Sequence, residues 1–465
     1  MNEKNIIIED GYSTKKAVFY SFASVADVNV YQMFSFLIFT FYFAVVGLPV
    51  SLITIGFIIW SFWNAINDPL LGVVSDRTSS KWGRRKPYIV GALAPLCIVL
   101  ILLWTPPINS SDLVIFAYFM VMLFLFDFFY TMYSLNQTSL FPEIFTDIED
   151  RAKANKFVQI FNIIGLIFAT LLPSFFIPQY DNPAYFSNYT TAAIVMAIIT
   201  IIFAAIFIKF GLKERVEYSK DPENAPPFFK ALKMSLSNKA FRQYVIANFA
   251  IWYVFGIIPA MAPLYGSFVL NIKDSFLISL LLAITFIVAA ASMILWQVIY
   301  VKIGVRKGLM LSFFTLIIAL LPFMFISDFI GGLITFTLAG IALAGVLFGR
   351  DLSMASIVDY DESVNGVRRE AGYYGINALI IRLTTIAIFV TISLVFIGTG
   401  WGEYNPRPGS DVILGLRLLM FLFPAIGMGI GILSMYFFPI TKEKYEEIKQ
   451  KIEAMHAEKR EKARI

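Results

Sequence analysis

The sequence predicts an all-α membrane protein whose twelve transmembrane helices form two six-helix bundles. Three observations lead to this prediction: the composition is very apolar, the apolar residues recur in stretches of membrane-spanning length, and basic residues gather in alternate connections. Of the 465 residues, 58% are hydrophobic and only 15% are charged, and the mean hydropathy is +0.74. A soluble chain of this length needs far more charged surface, so lipid must solvate much of the molecule.

Twelve apolar stretches are long enough to cross the hydrocarbon core, which takes about 20 helical residues. The first begins after a polar segment that lacks the pattern of a cleaved signal peptide, so we expect it to remain as a helix. The least distinct boundary separates the ninth stretch from the tenth. In chain order the stretches cover residues 18–47, 51–75, 87–105, 112–138, 156–178, 189–211, 242–268, 275–301, 307–326, 329–356, 371–398 and 411–439.

Lysine and arginine orient these spans. With the N-terminus inside, the outer connections hold only Lys273 and Arg407. The inner connections hold many more: Lys81, Arg84, Arg85, Lys86, Arg151, Lys153, Lys156, Lys213, Arg215, Lys230, Lys239, Arg306, Lys307, Arg368 and Arg369. By the positive-inside rule, we expect a multi-pass protein of the cytoplasmic membrane with both termini in the cytoplasm.

The longest internal connection divides the chain into halves. It is polar and contains Asp221-Pro222 and Pro226-Pro227. We therefore expect an N-terminal six-helix bundle at 1–212, a cytoplasmic linker at 213–240, a C-terminal six-helix bundle at 241–440 and a cytoplasmic tail at 441–465. A faint repeat supports the division, because a basic loop follows the second span of each half, at 81–86 and at 302–307. Parallel repeats are typical of transporters whose substrate site lies between the halves.

The tail is dense in lysine and glutamate with some helical spacing. It is interpreted as a solvated cytoplasmic helix, with binding to anionic lipid headgroups as the alternative.

The composition excludes several classes of function. The only cysteine is Cys97 and the only histidine is His456, so a disulfide framework, a cysteine or histidine metal site and Ser-His-Asp chemistry are all excluded. No nucleophile–base pair and no phosphate-binding glycine loop is apparent, so we predict neither an enzyme nor a cofactor. The net charge of +5 fits the loop topology rather than nucleic acid. The expected partners are a small solute and membrane lipid, and the expected state is a monomer.

Ionisable groups at membrane depth are costly and therefore mark functional sites. Asp68 lies in the second span, shares a helix face with Asn64, and precedes Pro69, which frees the carbonyl of Ala65. A carboxylate among amide and carbonyl oxygens suits Na⁺. A buried carboxylate can instead hold a proton, or it can lock helix packing.

A polar stripe runs along the fourth span through Asp127, Thr131, Ser134 and Thr138, spaced by four, three and four residues. Such a stripe should face a cavity or the bundle interior, where the hydroxyls could also bond neighbouring helices. Further polar residues lie on the fifth span, at Gln159 and Asn162, and on the eleventh, at Asn377 and Arg382. A cavity lined by these groups suits a polyhydroxylated solute. Arg382 needs a buried carboxylate, with Asp27, Asp68 and Asp127 as the candidates, or a substrate oxygen.

Two charged clusters lie at the cytoplasmic ends of the spans. We expect gate ion pairs there, formed in one conformation and broken in the other, with ordinary topogenic charge as the alternative. The gate residues are Asp76, Arg77, Arg84, Arg85, Asp359, Arg368 and Arg369.

Three stretches resemble the glycoside–pentoside–hexuronide:cation symporters, the branch of the major facilitator superfamily that includes the melibiose permeases. They are 63–72 (WNAINDPLLG) with its loop 81–87 (KWGRRKP), 130–142 (YTMYSLNQTSLFP) and 358–382 (VDYDESVNGVRREAGYYGINALIIR). The resemblance runs from Val18 to the twelfth span and implies the major facilitator fold.

The resemblance implies a cation site on the second and fourth spans, where Asp68, Asn67 and Thr131 match the family pattern. Asn64 stands where melibiose-type members have a second aspartate. At the sugar-contacting positions, Ser134 replaces an aspartate, Thr138 a tryptophan, Gln159 an arginine and Arg382 a lysine, while Asp27 and Asn29 lie beside the acidic contact of the first span. The scaffold and a cation ligand therefore carry over, and the galactoside recognition set does not.

The leading prediction is cation-coupled symport, with Na⁺ or H⁺, of a sugar, glycoside or hexuronide by alternating access. The cation would bind Asp68, Asn64, Asn67 and Thr131. The solute would bind Asp27, Asn29, Asp127, Ser134, Thr138, Gln159, Asn162, Asn377 and Arg382. The alternatives are an uncoupled facilitator, a carrier of lysolipids or other amphiphiles like an animal branch of the same group, and a membrane solute sensor, for which the tail is too short to add a signalling domain.

Overall fold

The computed structural model describes residues 13–78, 80, 82–145, 148–214, 235–366 and 370–462, and the regular elements within these ranges are all helical. The first half consists of α1 (Thr14–Thr40, extended by a π-helical turn Phe41–Val45), α2 (Val50–Asp76), α3 (Lys86–Leu102), α4 (Asp112–Ile144), α5 (Ile148–Leu171) and α6 (Phe186–Ile206, extended by Phe207–Gly211).

The second half begins with α7 (Lys239–Phe268), α8 (Ser275–Leu320), α9 (Phe329–Asn365) and α10 (Glu370–Gly398), and continues with α11 (Ser410–Met420), α12 (Leu422–Tyr436) and α13 (Lys442–Lys462). Single 3₁₀ turns at Leu172–Phe175, Pro183–Tyr185 and Leu321–Met324 lie at helix ends.

These helices make twelve membrane crossings, as the sequence predicts. Ten segments of the described chain are long and apolar enough to span a bilayer, and the shorter apolar α3 adds another. The remaining crossing comes from α8, which is counted above as one segment. Gly304, at φ +80° and ψ 168°, breaks this helix into two limbs, 275–303 and 305–320, and each limb makes a crossing. Glycine adopts this backbone conformation without a Cβ clash, so the sequence can end one limb and start the next without a loop.

The two halves meet along three helix pairs: α1 packs against α7, α2 against α10 and α5 against α8. We call the end of the bundle that carries residues 82–85 and α13 the basic end, and the end that carries 46–49, 176–185 and 399–409 the distal end. Several hydrogen bonds join the halves toward the distal end, and those of Arg382 join them midway. The distal bonds include the Val50 amide to the Gly402 carbonyl (2.9 Å) and the Tyr180 hydroxyl with the Ser279 hydroxyl (2.6 Å).

One carboxylate holds much of the distal end together. Asp181, only 6% exposed, accepts hydrogen bonds from the Ser267 hydroxyl (2.9 Å) and the Tyr404 hydroxyl (3.2 Å), both from the other half. Burial raises the pKa of Tyr404 well above its ordinary value, and the nearby Asp181 carboxylate raises it further. The phenol therefore stays protonated and remains a donor. We call Asp181, Ser267 and Tyr404 the distal latch.

The tail helix α13 packs on α8 and α9. The Tyr445 hydroxyl donates to Asp359 (3.4 Å), the Lys442 ammonium donates to the Lys302 carbonyl (3.1 Å), and Ile448 is buried. One face of the tail is thus docked on protein rather than solvated. Of the expected linker at 213–240, residues 215–234 lie outside the described residues, so the domain boundaries stay a prediction.

Candidate functional site

A cavity of about 370 Å³ lies between the halves, midway along α2, α4 and α10. We call it the polar chamber. Its polar lining comes from Ser61, Asn64, Asp68, Thr131, Ser134, Thr138, Arg382 and Thr385, and its aromatic lining from Tyr31, Trp60, Tyr130 and Trp252. Both halves contribute, because α7 and α10 supply Trp252, Arg382 and Thr385 while α1, α2 and α4 supply the rest.

An ion pair crosses the chamber from one half to the other. The Arg382 guanidinium pairs through Nη2 with Asp68 Oδ2 and donates through Nη1 to the Asn64 carbonyl (2.7 Å). The Thr131 hydroxyl donates to the second Asp68 oxygen (2.9 Å). The Asp68 side chain is 27% exposed and that of Arg382 19%, so both remain accessible to chamber contents. Asp68 is thus the partner of Arg382 among the three carboxylates that the sequence offered.

Asp127 forms a second network directly behind this ion pair. It is 1% exposed, and its carboxylate accepts hydrogen bonds from the side-chain amides of Asn64 and Asn67, the latter at 2.9 Å. The Asn67 amide also lies 3.3 Å from the Asp127 carbonyl. Asp127 therefore ties α4 to α2 and does not line the chamber. The four residues predicted to bind a cation lie together. Thr131 is bonded to Asp68, and Asn64 and Asn67 are joined through Asp127.

Asp27 lies beside the hydroxyls of Ser134 and Tyr130, in the wall of the chamber. Its Oδ1 is buried and has no hydrogen-bond partner. The Tyr130 ring stacks on Tyr31 with centroids 5.0 Å apart, and these two rings line the chamber. Asp27 is therefore separated from the cavity by one layer of side chains, and only its neighbours face a solute directly.

Four predicted solute contacts lie away from the chamber. Asn29 donates to the Thr200 hydroxyl (3.0 Å) and so joins α1 to α6, and Asn377 accepts from Asn248 (2.7 Å) and joins α10 to α7. Gln159 is exposed on α5, with its amide 3.4 Å from Asn155. Asn162, one turn further along α5, is half-buried and also outside the chamber lining. The physical reason is the same for all four: apolar surfaces surround these helices, so spacing alone cannot identify the face that meets the cavity.

Sequence reasoning missed the aromatic lining. Trp60 and Trp252 lie near the middle of α2 and α7, although tryptophan favours the membrane interfaces. The indole N–H groups of both residues are buried without a partner. A mid-span tryptophan was the signal that could have identified this part of the site.

A second cavity of about 110 Å³ continues from the polar chamber toward the distal end. The two cavities share Tyr31, Trp60, Trp252, Ile381 and Thr385. We call the second one the aromatic compartment, because Phe34, Phe57, Phe255 and Phe389 also line it. The rings of Phe57 and Phe389 stack in parallel with centroids 3.6 Å apart, one from each half. This pair and the distal latch close the site on the distal side.

The predicted gate residues at the basic end lie in different surroundings. Arg84 and Arg85 pair with Glu143 (2.6 and 3.0 Å), and their backbone amides donate to Glu214 (2.6 and 2.9 Å). These described partners belong to the same half, so these contacts brace α3 against α4 and the end of α6. Arg77 is exposed, and Asp359 contacts the tail at Tyr445.

The remaining gate predictions cannot be located. Arg368 and Arg369 lie outside the described residues, and so does the side chain of Asp76.

Comparison with known proteins places this architecture among membrane transporters. The isoprimeverose transporter of Lactiplantibacillus pentosus is 22% identical over 90% of this chain and 86% of its own length. The sodium-dependent lysophosphatidylcholine symporter 1 of Gallus gallus is 21% identical over 85% of this chain and 81% of its own.

The crystal structure of a D-xylose-proton symporter covers 93% of this chain and 98% of its own, with a TM-score of 0.67 and 12% identity, which shows a common fold. The family model described as MFS/sugar transport protein matches residues 19–442. The family and the fold are those of transporters, not of enzymes, and the resemblance identified from the motifs is confirmed. The chain belongs to the MFS/sugar transport protein family.

Proposed function

We propose that this protein takes up a neutral sugar or glycoside together with a cation, Na⁺ or H⁺, by alternating access. In this proposal it works as a monomer in the cytoplasmic membrane, with the basic end and both termini in the cytoplasm and no resident cofactor. The observation that carries the proposal is the polar chamber itself, a cavity between two halves that is crossed by the partly buried ion pair Asp68–Arg382.

The lining of the chamber suits a sugar. Hydroxyl and amide groups from Ser134, Thr138 and Asn64 offer hydrogen bonds, and the rings of Trp60 and Trp252 offer apolar faces. A sugar presents the same combination, with hydroxyls around its edge and C–H groups on its faces. Sites of this kind use a few placed polar groups for orientation and aromatic area for affinity. The isoprimeverose transporter among the relatives supports a sugar as the solute class.

The charges of the site support a coupling cation and a neutral solute. Asp68 and Asp127 contribute two carboxylates to the linked networks, Asp27 adds a third in the chamber wall, and Arg382 contributes one guanidinium, so carboxylates are in excess at membrane depth. Excess negative charge is costly there unless it is balanced. A bound Na⁺ or proton reduces it, whereas a hexuronate would add to it.

Coupling would follow from competition for Asp68. A cation on this carboxylate weakens its hold on Arg382, which frees the guanidinium for a solute oxygen and loosens the connection between the halves. Binding of solute to Arg382 in turn favours the cation on Asp68. This reciprocity is required of any two sites that share a coupling free energy.

The arrangement fits a conformation closed at the distal end. The distal latch and the Phe57–Phe389 stack join the halves on that side of the chamber. Transport would require these distal contacts to break.

The test is reconstitution into liposomes with labelled glucose, galactose, xylose and isoprimeverose, each with and without an inward Na⁺ or pH gradient. Accumulation of one of these sugars driven by one of the gradients is expected. Equilibration of a sugar without accumulation under either gradient would replace symport by facilitated transport. Failure of all the sugars to enter would overturn the assignment of solute.

A lysolipid is the competing solute because of the symporter from Gallus gallus. An apolar groove of about 420 Å³ runs along the membrane-facing side of α7, α10 and α12, lined by residues such as Phe249, Phe423 and Ile430. It shares no lining residue with the polar chamber, so a headgroup in the chamber and a tail in the groove would need α7 and α10 to separate. Competition by lysophosphatidylcholine in the same liposome assay distinguishes the two solutes.

A further inference from the structure

The apolar groove of about 420 Å³ on α7, α10 and α12 lies on the outer surface of the second half. We call it the membrane-facing groove. Three of the side chains that line it, Ile246, Ile426 and Ile430, are 43%, 51% and 52% exposed. In a membrane-spanning chain, exposed apolar side chains of this kind face lipid. A concave surface contacts more atoms of an acyl chain than a flat one does, so the groove favours one chain held in place.

The groove is nearly as long as one leaflet is deep. Its lining covers residues 245–253 of α7 and 423–430 of α12, which at 1.5 Å per residue amount to about 12 and about 10 Å. One half of the hydrocarbon core measures about 15 Å. Because α7 begins at the basic end, and the Ser434 hydroxyl donates to the Gln243 carbonyl there (2.8 Å), the groove lies in the leaflet on that side.

Two basic residues lie just beyond the groove, toward the basic end. Lys239 and Arg242 are exposed in the first turn of α7, six and three residues before the groove begins, or about 9 and about 4.5 Å along the helix axis. Their spacing places them on the same helix face as Ile246 in the groove. The segments of α7 and α12 that border this region, 235–250 and 420–441, contain no acidic residue. The charge at the mouth of the groove therefore complements an anion.

Arg242 is already oriented at the end of the helix. Its Nη1 donates to the carbonyls of Leu236 (2.8 Å) and Ser237 (3.0 Å), while its Nε and Nη2 have no hydrogen-bond partner among the described residues. The guanidinium fork matches the oxygens of a phosphate. Lys239 adds a second positive charge one turn away, so a phosphate at this level meets both.

We propose that the membrane-facing groove and the first turn of α7 form a binding site for one anionic phospholipid of the leaflet at the basic end. One acyl chain lies in the groove, and the phosphate binds Arg242 and Lys239. The groove shares no lining residue with the polar chamber, so this lipid is a bound partner of the second half and not the transported solute. The inference goes beyond the proposed function and does not depend on it.

The headgroup is tested by thermal unfolding of the purified protein in detergent, with added dioleoylphosphatidylglycerol or dioleoylphosphatidylcholine. The concentration that gives half of the maximal rise in melting temperature is expected to be at least about tenfold lower for phosphatidylglycerol, because two cations add to the same chain contacts. Arg242→Gln should remove most of this preference. Arg407→Gln, at an exposed arginine of the distal end, should leave it intact. Equal concentrations for the two lipids in the wild type, or an undiminished preference in Arg242→Gln, would overturn the proposal.

The groove is tested by filling it. A Cβ added to Gly427, which lines the groove, lies 3.8 Å from Tyr253 and 3.9 Å from Ala250, in ordinary contact, so Gly427→Leu places its side chain in the groove. This variant should need at least about tenfold more of either lipid, because the acyl chain loses apolar contact. Gly429→Leu is the matched control on the same helix, since an added Cβ there meets open space and Gly429 does not line the groove. If Gly427→Leu does not fold, Ile430→Trp covers the groove from its exposed side. Wild-type lipid dependence in the variant that folds would overturn the proposal.

Discussion

The distal latch allows a quantitative test of alternating access. Asp181→Ala removes the carboxylate that accepts hydrogen bonds from Ser267 and Tyr404 of the other half. A hydrogen bond to a charged group contributes roughly 1.5–3 kcal/mol. The Tyr404 hydroxyl also donates to the Asp181 backbone carbonyl (2.9 Å), which the variant keeps, so the bond from Ser267 is the one that is lost. A loss of about 1.5–3 kcal/mol corresponds to a roughly 10- to 100-fold change in a conformational equilibrium. The variant should therefore populate the distal-open conformation about 10 to 100 times more than the wild type.

A single cysteine can report this shift. Cys97 is the only native cysteine and is buried, so Cys97→Ser gives a cysteine-free background. Ser35→Cys then introduces a thiol in the aromatic compartment, which a membrane-impermeant maleimide added on the distal side reaches only after the latch opens. The labelling rate should rise in Asp181→Ala by up to about 100-fold.

The control separates the latch from a simple loss of charge. Asp274 is an exposed carboxylate of a distal loop that caps α8 through the Phe276 amide (2.9 Å), within one half. Asp274→Ala should leave the labelling rate unchanged. If Asp181→Ala labels no faster than the wild type, or if both variants label faster to the same extent, the latch does not hold the distal end closed.

Three further variants test separate parts of the molecule. Asp68→Asn should abolish accumulation of solute against its gradient while exchange across the membrane continues; concentrative uptake at the wild-type level would show that Asp68 is not the coupling residue. Glu214→Ala removes the anion that accepts the amides of Arg84 and Arg85, just before α3, and should lower stability by about 1–2 kcal/mol, measured by thermal unfolding, whereas Glu447→Ala, in an exposed ion pair, should change it by less than about 1 kcal/mol. Gly304→Ala forces a side chain into a backbone conformation that glycine favours and should cost about 1–3 kcal/mol, whereas Gly429→Ala, where an added Cβ meets open space, should not be destabilising; equal melting temperatures for the two would contradict this account.

Much of the fold could be predicted because bilayer thickness imposes a length on every crossing. The twelve stretches follow from that single constraint, and the structure differs from them mainly in details. One is that α8 continues to a break at a single glycine instead of ending at a loop, since Gly304 needs only its own backbone freedom to interrupt the helix.

The site could be predicted only in part. Asp68, Thr131 and Arg382 lie together as their costly polarity in an apolar setting suggested. Asn29 has the same polarity but faces α6, where it satisfies a packing contact. Polarity therefore indicates that a buried group needs a partner, but not whether the partner is a helix or a solute.

Local sequence patterns could not predict the bonding partners of the basic loop. Arg85 bonds Glu143 and Glu214, residues far away in the chain, and no spacing rule connects them. An ion pair within one half and a gate between the halves look identical in sequence, because both require only opposite charges near a membrane surface. The described partners of Arg85 belong to its own half.

Because the tail is docked, α13 is attached to one half of the molecule and should move with it. Its packing partners α8 and α9 both belong to the second half, and Tyr445 and Ile448 hold it there. With 21 residues at about 1.5 Å each, it forms a lever roughly 30 Å long. A rocking motion of about 10° would displace the far end of such a lever by about 5 Å. A spin label or fluorophore on this helix would therefore translate a small rotation deep in the bilayer into a distance change that can be measured from the aqueous side.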